Sequence, residues 1–154
     1  MRTRTILASL AVFFAGVALA IAADPMMGTW KLNEAKSKLA PGATKNHTVV
    51  YAAVPVDMMK VTVDGVDKDG KAAHNEWTGK FDGKDYPVTG DPTSDTRAYT
   101  KVNDHHLDMI VKKGGKVTTT GSIVVAADGK TRTVNTTSDA TGTTVKSTGV
   151  YDKQ

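Results

Sequence analysis

Four histidines, His47, His74, His105 and His106, are the residues of this 154-residue chain best suited to hold a metal or move a proton. Their spacing limits them. His105 and His106 are adjacent in a stretch that reads as strand, so their side chains point to opposite faces and cannot jointly hold one ion. His106 and Asp108 share a face, but a site there needs a third ligand from another strand, such as His47 or His74. Histidines on a solvated surface are the simpler reading, and neither a metal nor a cofactor is assigned. The chain has no cysteine, which excludes disulfides, thiolate metal ligands and a cysteine nucleophile. It has no Gly-x-Ser-x-Gly elbow. Its aspartates and glutamates sit mostly beside turn signals, where they cap and solubilise. Its glycine-rich pieces are not followed by a helical pattern, so they form no phosphate cradle. No catalytic residue is assigned.

Binding chemistry is better represented. Large apolar side chains gather in a few stretches, with Met59, Trp77, Phe81, Tyr86, Leu107 and Met109 the most prominent. In residues 72–81, alternation puts Ala73, Asn75, Trp77, Gly79 and Phe81 on one face, against His74, Glu76 and Thr78 on the other. The second set is polar, so the first is expected to face inward. Met59, Val61 and Val63 form one apolar face. His105, Leu107, Met109 and Val111 form another, and Tyr86 and Val88 share a third. If these faces converge, Trp77 and Tyr86 are rigid walls, and Met59 and Met109 are adaptable ones. The six prominent residues are therefore the candidate ligand contacts.

The elements that must position them are strands. From residue 24 onward, short β-rich runs alternate with turn signals. The pattern predicts ten strands, at 28–33, 47–54, 58–66, 72–81, 84–88, 96–102, 105–112, 116–126, 131–139 and 143–152. Residues 34–46 hold about one helical turn before Pro41-Gly42. Asp82-Gly83 reads as a two-residue hairpin turn with both positions at positive φ. Connections are short throughout, the mark of a meander. A meander this long must close or split into two sheets to protect its edges. The expected fold is all-β: a single antiparallel barrel of about ten strands. Several strands, at 96–102, 116–126, 131–139 and 143–152, carry many Thr, Ser, Ala and Gly on both faces. A barrel of this size with small inward residues is not filled by its own side chains, and it holds water or a ligand. The alternative is a flattened barrel that collapses on itself.

The first 22 residues stand apart. Arg2 and Arg4 make a basic n-region, residues 6–19 are uncharged and apolar, and Ala18-Leu19-Ala20 and Ala20-Ile21-Ala22 are small-x-small cleavage patterns. This order predicts a secretory signal peptide over residues 1–22, with residues 23–154 as the exported domain. The apolar run is short for a membrane anchor, so no span is expected after cleavage. Thr3 separates the two arginines, so the signal is not of the twin-arginine type. The absence of cysteine excludes a lipobox. Without Arg2 and Arg4 the 20 basic residues fall to 18 against 16 acidic ones, a net charge of about +2. No basic stripe interleaves with aromatics, so nucleic acid is not an expected partner. A periplasmic or secreted location is expected.

Gly28-Thr29-Trp30-Lys31-Leu32, at the head of the first strand, resembles the opening of fatty-acid-binding proteins and the Gly-x-Trp signature of calycins at large. Val150-Tyr151-Asp152-Lys153 is similar to their last strand, and residues 81–90 are similar to a segment of small secreted bacterial proteins thought to be lipocalin-like. The resemblance implies that Trp30 plugs one end of the barrel beneath a cationic side chain. Arg97 and Arg132, the two arginines of the exported domain, are the candidates for it. Two departures qualify this. Fatty-acid-binding proteins carry a carboxylate-gripping arginine two residues before the final-strand tyrosine, where this chain has Gly149, and residues 34–46 have no counterpart to their two-helix lid. The leading expectation is a module that binds a small, partly apolar molecule. The alternatives are an envelope structural or interaction protein without a small ligand and, third, an enzyme on a calycin barrel. Oligomeric state is left open.

Overall fold

Turn chemistry cuts the chain into strands of alternating character, and closure hides their edges. The computed structural model describes residues 24–139 and 142–154; the expected signal peptide lies outside them. The strands are β1 (Gly28–Leu32), β2 (Lys45–Val54), β3 (Met58–Val66), β4 (Ala72–Gly79), β5 (Tyr86–Thr89), β6 (Thr96–Asn103), β7 (His106–Lys113), β8 (Lys116–Val125), β9 (Thr131–Ser138) and β10 (Val145–Lys153). Each pairs antiparallel with the next, and β1 also pairs with β10, so ten strands close into one barrel. A single 3-10 turn at Glu34–Lys36, capped by the Asn33 side chain, is the one helical element among the described residues. No helix there is long and apolar enough to cross a membrane.

Local chemistry explains the short connections. Gly114 and Gly115 both take positive φ, 55° and 76°, as the tight link between β7 and β8 requires. In the turn between β3 and β4, the Asp67 carboxylate accepts hydrogen bonds from the backbone N–H groups of Asp69 and Lys71.

The Asp82-Gly83 expectation is corrected. Gly83 has φ of 78°, but Asp82 is not at positive φ, and β4 already ends at Gly79. Residues 80–85 turn aside to pair with β6: the Gly83 N–H donates to the Tyr99 carbonyl at 2.9 Å, and the Lys101 N–H donates to the Phe81 carbonyl at 3.1 Å. Packing is the reason. The rings of Tyr86 and Trp77 crowd Gly79 so closely that a Cβ there would lie 2.5 and 2.6 Å from them. The space a tight β4–β5 hairpin needs is occupied by side chains.

Cross-strand partners share a face, which fixes the interior. One row runs Tyr99, Met109, Gly121, Thr136 and Ser147. The next runs Arg97, Val111, Thr119, Ser138 and Val145. A third passes through Val125, Arg132, Tyr151 and Leu32. The core gathers around the third row and the aromatic residues beside it.

Candidate functional site

The interior of the barrel is divided. Toward the end that carries both described chain termini, it is closed. Trp30 and Leu107 are 0% exposed and Trp77 is 1% exposed. Trp30 donates its indole N–H to the Met26 carbonyl at 3.0 Å, so residues 24–27 cap this end. The guanidinium carbon of Arg132 lies 5.0 Å from the Trp30 ring centre, 4.9 Å from Tyr51 and 4.7 Å from Tyr151. Of the two arginines expected near Trp30, Arg132 is the one over its ring, joined by the Lys153 ammonium at 5.0 Å. Arg132 Nε and Nη1 are buried without a hydrogen-bond partner, and three aromatic faces surround the charge instead.

Above this cage lies an aromatic cluster. Trp77 stacks on Phe81 at 6.1 Å between ring centres and meets Tyr99 edge-on at 4.8 Å and Tyr86 edge-on at 5.7 Å. Its indole N–H donates to the Arg97 carbonyl at 2.8 Å. The six candidate contacts converge here. Trp77 and Leu107 belong to the buried cluster, and Met59, Phe81, Tyr86 and Met109 pack against it, each partly buried. Within the cluster these side chains touch one another. Tyr51, Tyr99 and Tyr151 join them and were not singled out from the sequence. The usable signal was alternation, since Arg97 and Tyr99 stand two apart on one strand face. Burial pushes the Tyr51 hydroxyl far above the ordinary tyrosine range, with Tyr99 adding to the effect. Burial also raises Tyr151 despite the opposing influence of Arg132.

The opposite end is different. Val111, Thr119, Thr136, Ser138 and Ser147 all face inward by register, yet each is partly exposed, and Val145 at the rim is open to solvent. The Thr119 and Ser138 hydroxyls bond each other at 2.9 Å, and Ser147 Oγ accepts from the Ala40 N–H at 3.0 Å. That bond ties down the segment between β1 and β2. The same segment runs along β10 through paired backbone bonds between Lys38 and Thr148. Arg97 is 8% exposed and stands on the row that carries Val111, Thr119 and Ser138.

The histidines are dispersed. His74 Nδ1 is 2.6 Å from an Asp64 carboxylate oxygen, His106 Nε2 is 3.2 Å from Asp108, and His105 Nδ1 is 3.2 Å from the Val125 carbonyl. His47 is 4.0 Å from Glu34. Among the described residues no three metal-ligating side chains come together. Two surface depressions lie outside the barrel interior. One is beside Asp24, Lys101 and His105, and the other is on the outer faces of β7–β9 around Ile110, Thr120 and Asn135.

No protein-family model matches the chain, and no curated protein matches it. Among solved structures, one described as EF1p2_mFAP2b bound to DFHBI is similar to 86% of this chain and 97% of its own, at 14% identity and a TM-score of 0.43.

Proposed function

We propose that this chain is an exported, calycin-type barrel that carries a small, partly apolar molecule in its open end, without performing chemistry on it. The observation that carries the reading is the solvent contact of inward-facing residues at one end of the barrel. Residues that register places inside the barrel, among them Val111, Thr119, Thr136 and Ser138, remain in contact with solvent, while the opposite end is sealed by Trp30 and its cations. These side chains mix apolar and hydroxyl groups, as the lining of a small-molecule site does. Gly28-Thr29-Trp30 and the Arg132 guanidinium over Trp30 support the calycin assignment. Export rests on the n-region and apolar core of residues 1–22. Intact-mass analysis of the exported protein is expected to place its first residue within Ile21 to Asp24.

Nile red, a neutral apolar dye, tests the binding reading. It is expected to bind the folded exported domain with an emission gain. Thr136→Trp, which fills the open end, is expected to weaken binding by about tenfold or more. Thr137→Trp, one residue along and on the outer face, is expected to leave it near the wild-type value. Absence of dye binding to well-folded protein, or equal loss in both variants, would sink the reading.

A further inference from the structure

The topology collects thioethers at one rim of the barrel. Five methionines follow the expected signal peptide, Met26, Met27, Met58, Met59 and Met109, and the first four form two Met-Met pairs. One pair immediately precedes β1, and the other opens β3. Both strands pair with β2: Gly28 stands opposite Tyr51, and Met58 and Met59 stand opposite Val54 and Ala53. Both pairs therefore lie at the closed end, on either side of the end of β2.

Their environments differ. Met26 is 1% exposed; its carbonyl accepts the Trp30 indole N–H, and its own N–H donates to Asp24 Oδ1 at 2.9 Å. Met27, Met58 and Met59 are each partly exposed. Met27 and Met59 also pack against the buried cluster that contains Met26, Trp30, Tyr51 and Trp77. The cross-strand neighbours of Met59 are Ala53 and Gly79, which offer a methyl group and a bare Cα. Met27 and Met59 thus combine two properties: a small solute can reach them, and they belong to the packing that seals this end. The chain has no cysteine, so no thiol competes with them for an oxidant.

We propose that Met27 and Met59 are a reversible oxidation site that loosens the closed end, with peroxides as the class of oxidant. The thioether sulfur attacks one oxygen of hydrogen peroxide, and an S–O bond forms as the O–O bond breaks. Sulfur is oxidised by two electrons to the sulfoxide, and the peroxide is reduced to water. The product carries a polar S–O group where an apolar one packed. Burying that group without a partner is unfavourable, so the side chain turns toward water and its packing against the cluster is lost. Met26 is spared while the fold holds. Export, proposed above, takes the domain away from the reductants of the cytoplasm. A reductase that acts on methionine sulfoxide would restore the seal.

The test exposes the exported protein to hydrogen peroxide, maps the products by peptide mass spectrometry and follows thermal unfolding by circular dichroism. Met27 and Met59 are expected to gain one oxygen each in the folded protein, ahead of Met26. The midpoint is expected to fall by about 3 °C or more, and to return after treatment with methionine sulfoxide reductases for both sulfoxide epimers. The Met27→Leu, Met59→Leu double variant, nearly conserved in volume, is expected to keep its midpoint under the same treatment, whereas Met58→Leu and Met109→Leu lose as much as wild type. The proposal is overturned if Met26 is oxidised as fast as Met27 and Met59, if the midpoint is unchanged once both are sulfoxides, or if the double variant loses as much as wild type. Should the double variant not fold, the two single variants take its place, each expected to show a smaller loss than wild type; an undiminished loss in both overturns the proposal.

Discussion

Both ends of this barrel hold a buried arginine, and the two are treated in opposite ways. Arg132 sits in a cage of Trp30, Tyr51 and Tyr151, capped by residues 24–27 and the Lys153 ammonium. Arg97 sits above the aromatic cluster with long contacts to Tyr99 and Asn75 and a free Nε. Aromatic faces can neutralise a cation without a counter-ion because their negative quadrupoles replace part of the lost hydration. A hydroxyl and an amide oxygen at the edge of hydrogen-bond range cannot do so to the same degree. The same side chain is thus enclosed by aromatic faces at the closed end and by neutral oxygens and a carboxylate 3.9 Å away at the other, and the difference lies in what surrounds it.

The contrast is broken most severely at the closed end. Trp30→Ala removes a fully buried ring and one wall of the Arg132 cage, and is expected to cost about 3–5 kcal/mol in chemical denaturation. A loss under about 1 kcal/mol would show that the end is not sealed by this residue. Arg132→Ala comes next, at about 2 kcal/mol or more, because the three cation–π contacts are desolvated. Gly79→Ala is expected to cost about 1–3 kcal/mol by overpacking, since its Cβ would press on the Tyr86 and Trp77 rings. The near-ultraviolet circular dichroism of the aromatic cluster should change with it.

Alkaline pH probes the same end without mutation. Folding raises the hydroxyl pKa of Tyr51 and Tyr151, by burial, above the unfolded value near 10. The folded state therefore favours their protonated forms. Their contribution is fully present below about pH 10 and is lost as pH rises from there toward the folded-state values. The tyrosine contribution should be constant across neutral pH, and denaturation midpoints should fall above about pH 10, with delayed ionisation of these tyrosines visible in ultraviolet absorbance. The smallest effect belongs to the open end. Ser138→Ala removes a half-exposed hydroxyl and is expected to stay within about 0.5 kcal/mol of wild type. A larger loss there would mean that the open end is packed after all.

Much of this was legible in the residues. Alternation placed Met59, Val61 and Val63, and Leu107, Met109 and Val111, on inward faces, and the turn signals separated ten strands. The inward set of 72–79 was readable because its other face, His74, Glu76 and Thr78, is polar. Candidate contacts chosen for size and apolar character led to the aromatic cluster rather than to the wetted residues. Large side chains fill space, so a search for them finds the filled part of a barrel. The open end is marked by what is small, and Thr119, Thr136 and Ser138 look the same in sequence whether they face water outside or inside.

By itself the sequence determined the strand count, the antiparallel meander and the inward faces, because pleat alternation and turn chemistry act over a few residues. Tertiary structure alone decided which arginine lies over Trp30. It turned residues 80–85 aside onto β6, and it left one end of the interior packed and the other wet. Those outcomes depend on how ten strands close into one circuit, which brings Arg132 of β9 over Trp30 of β1 with β10 between them. No local pattern encodes that closure.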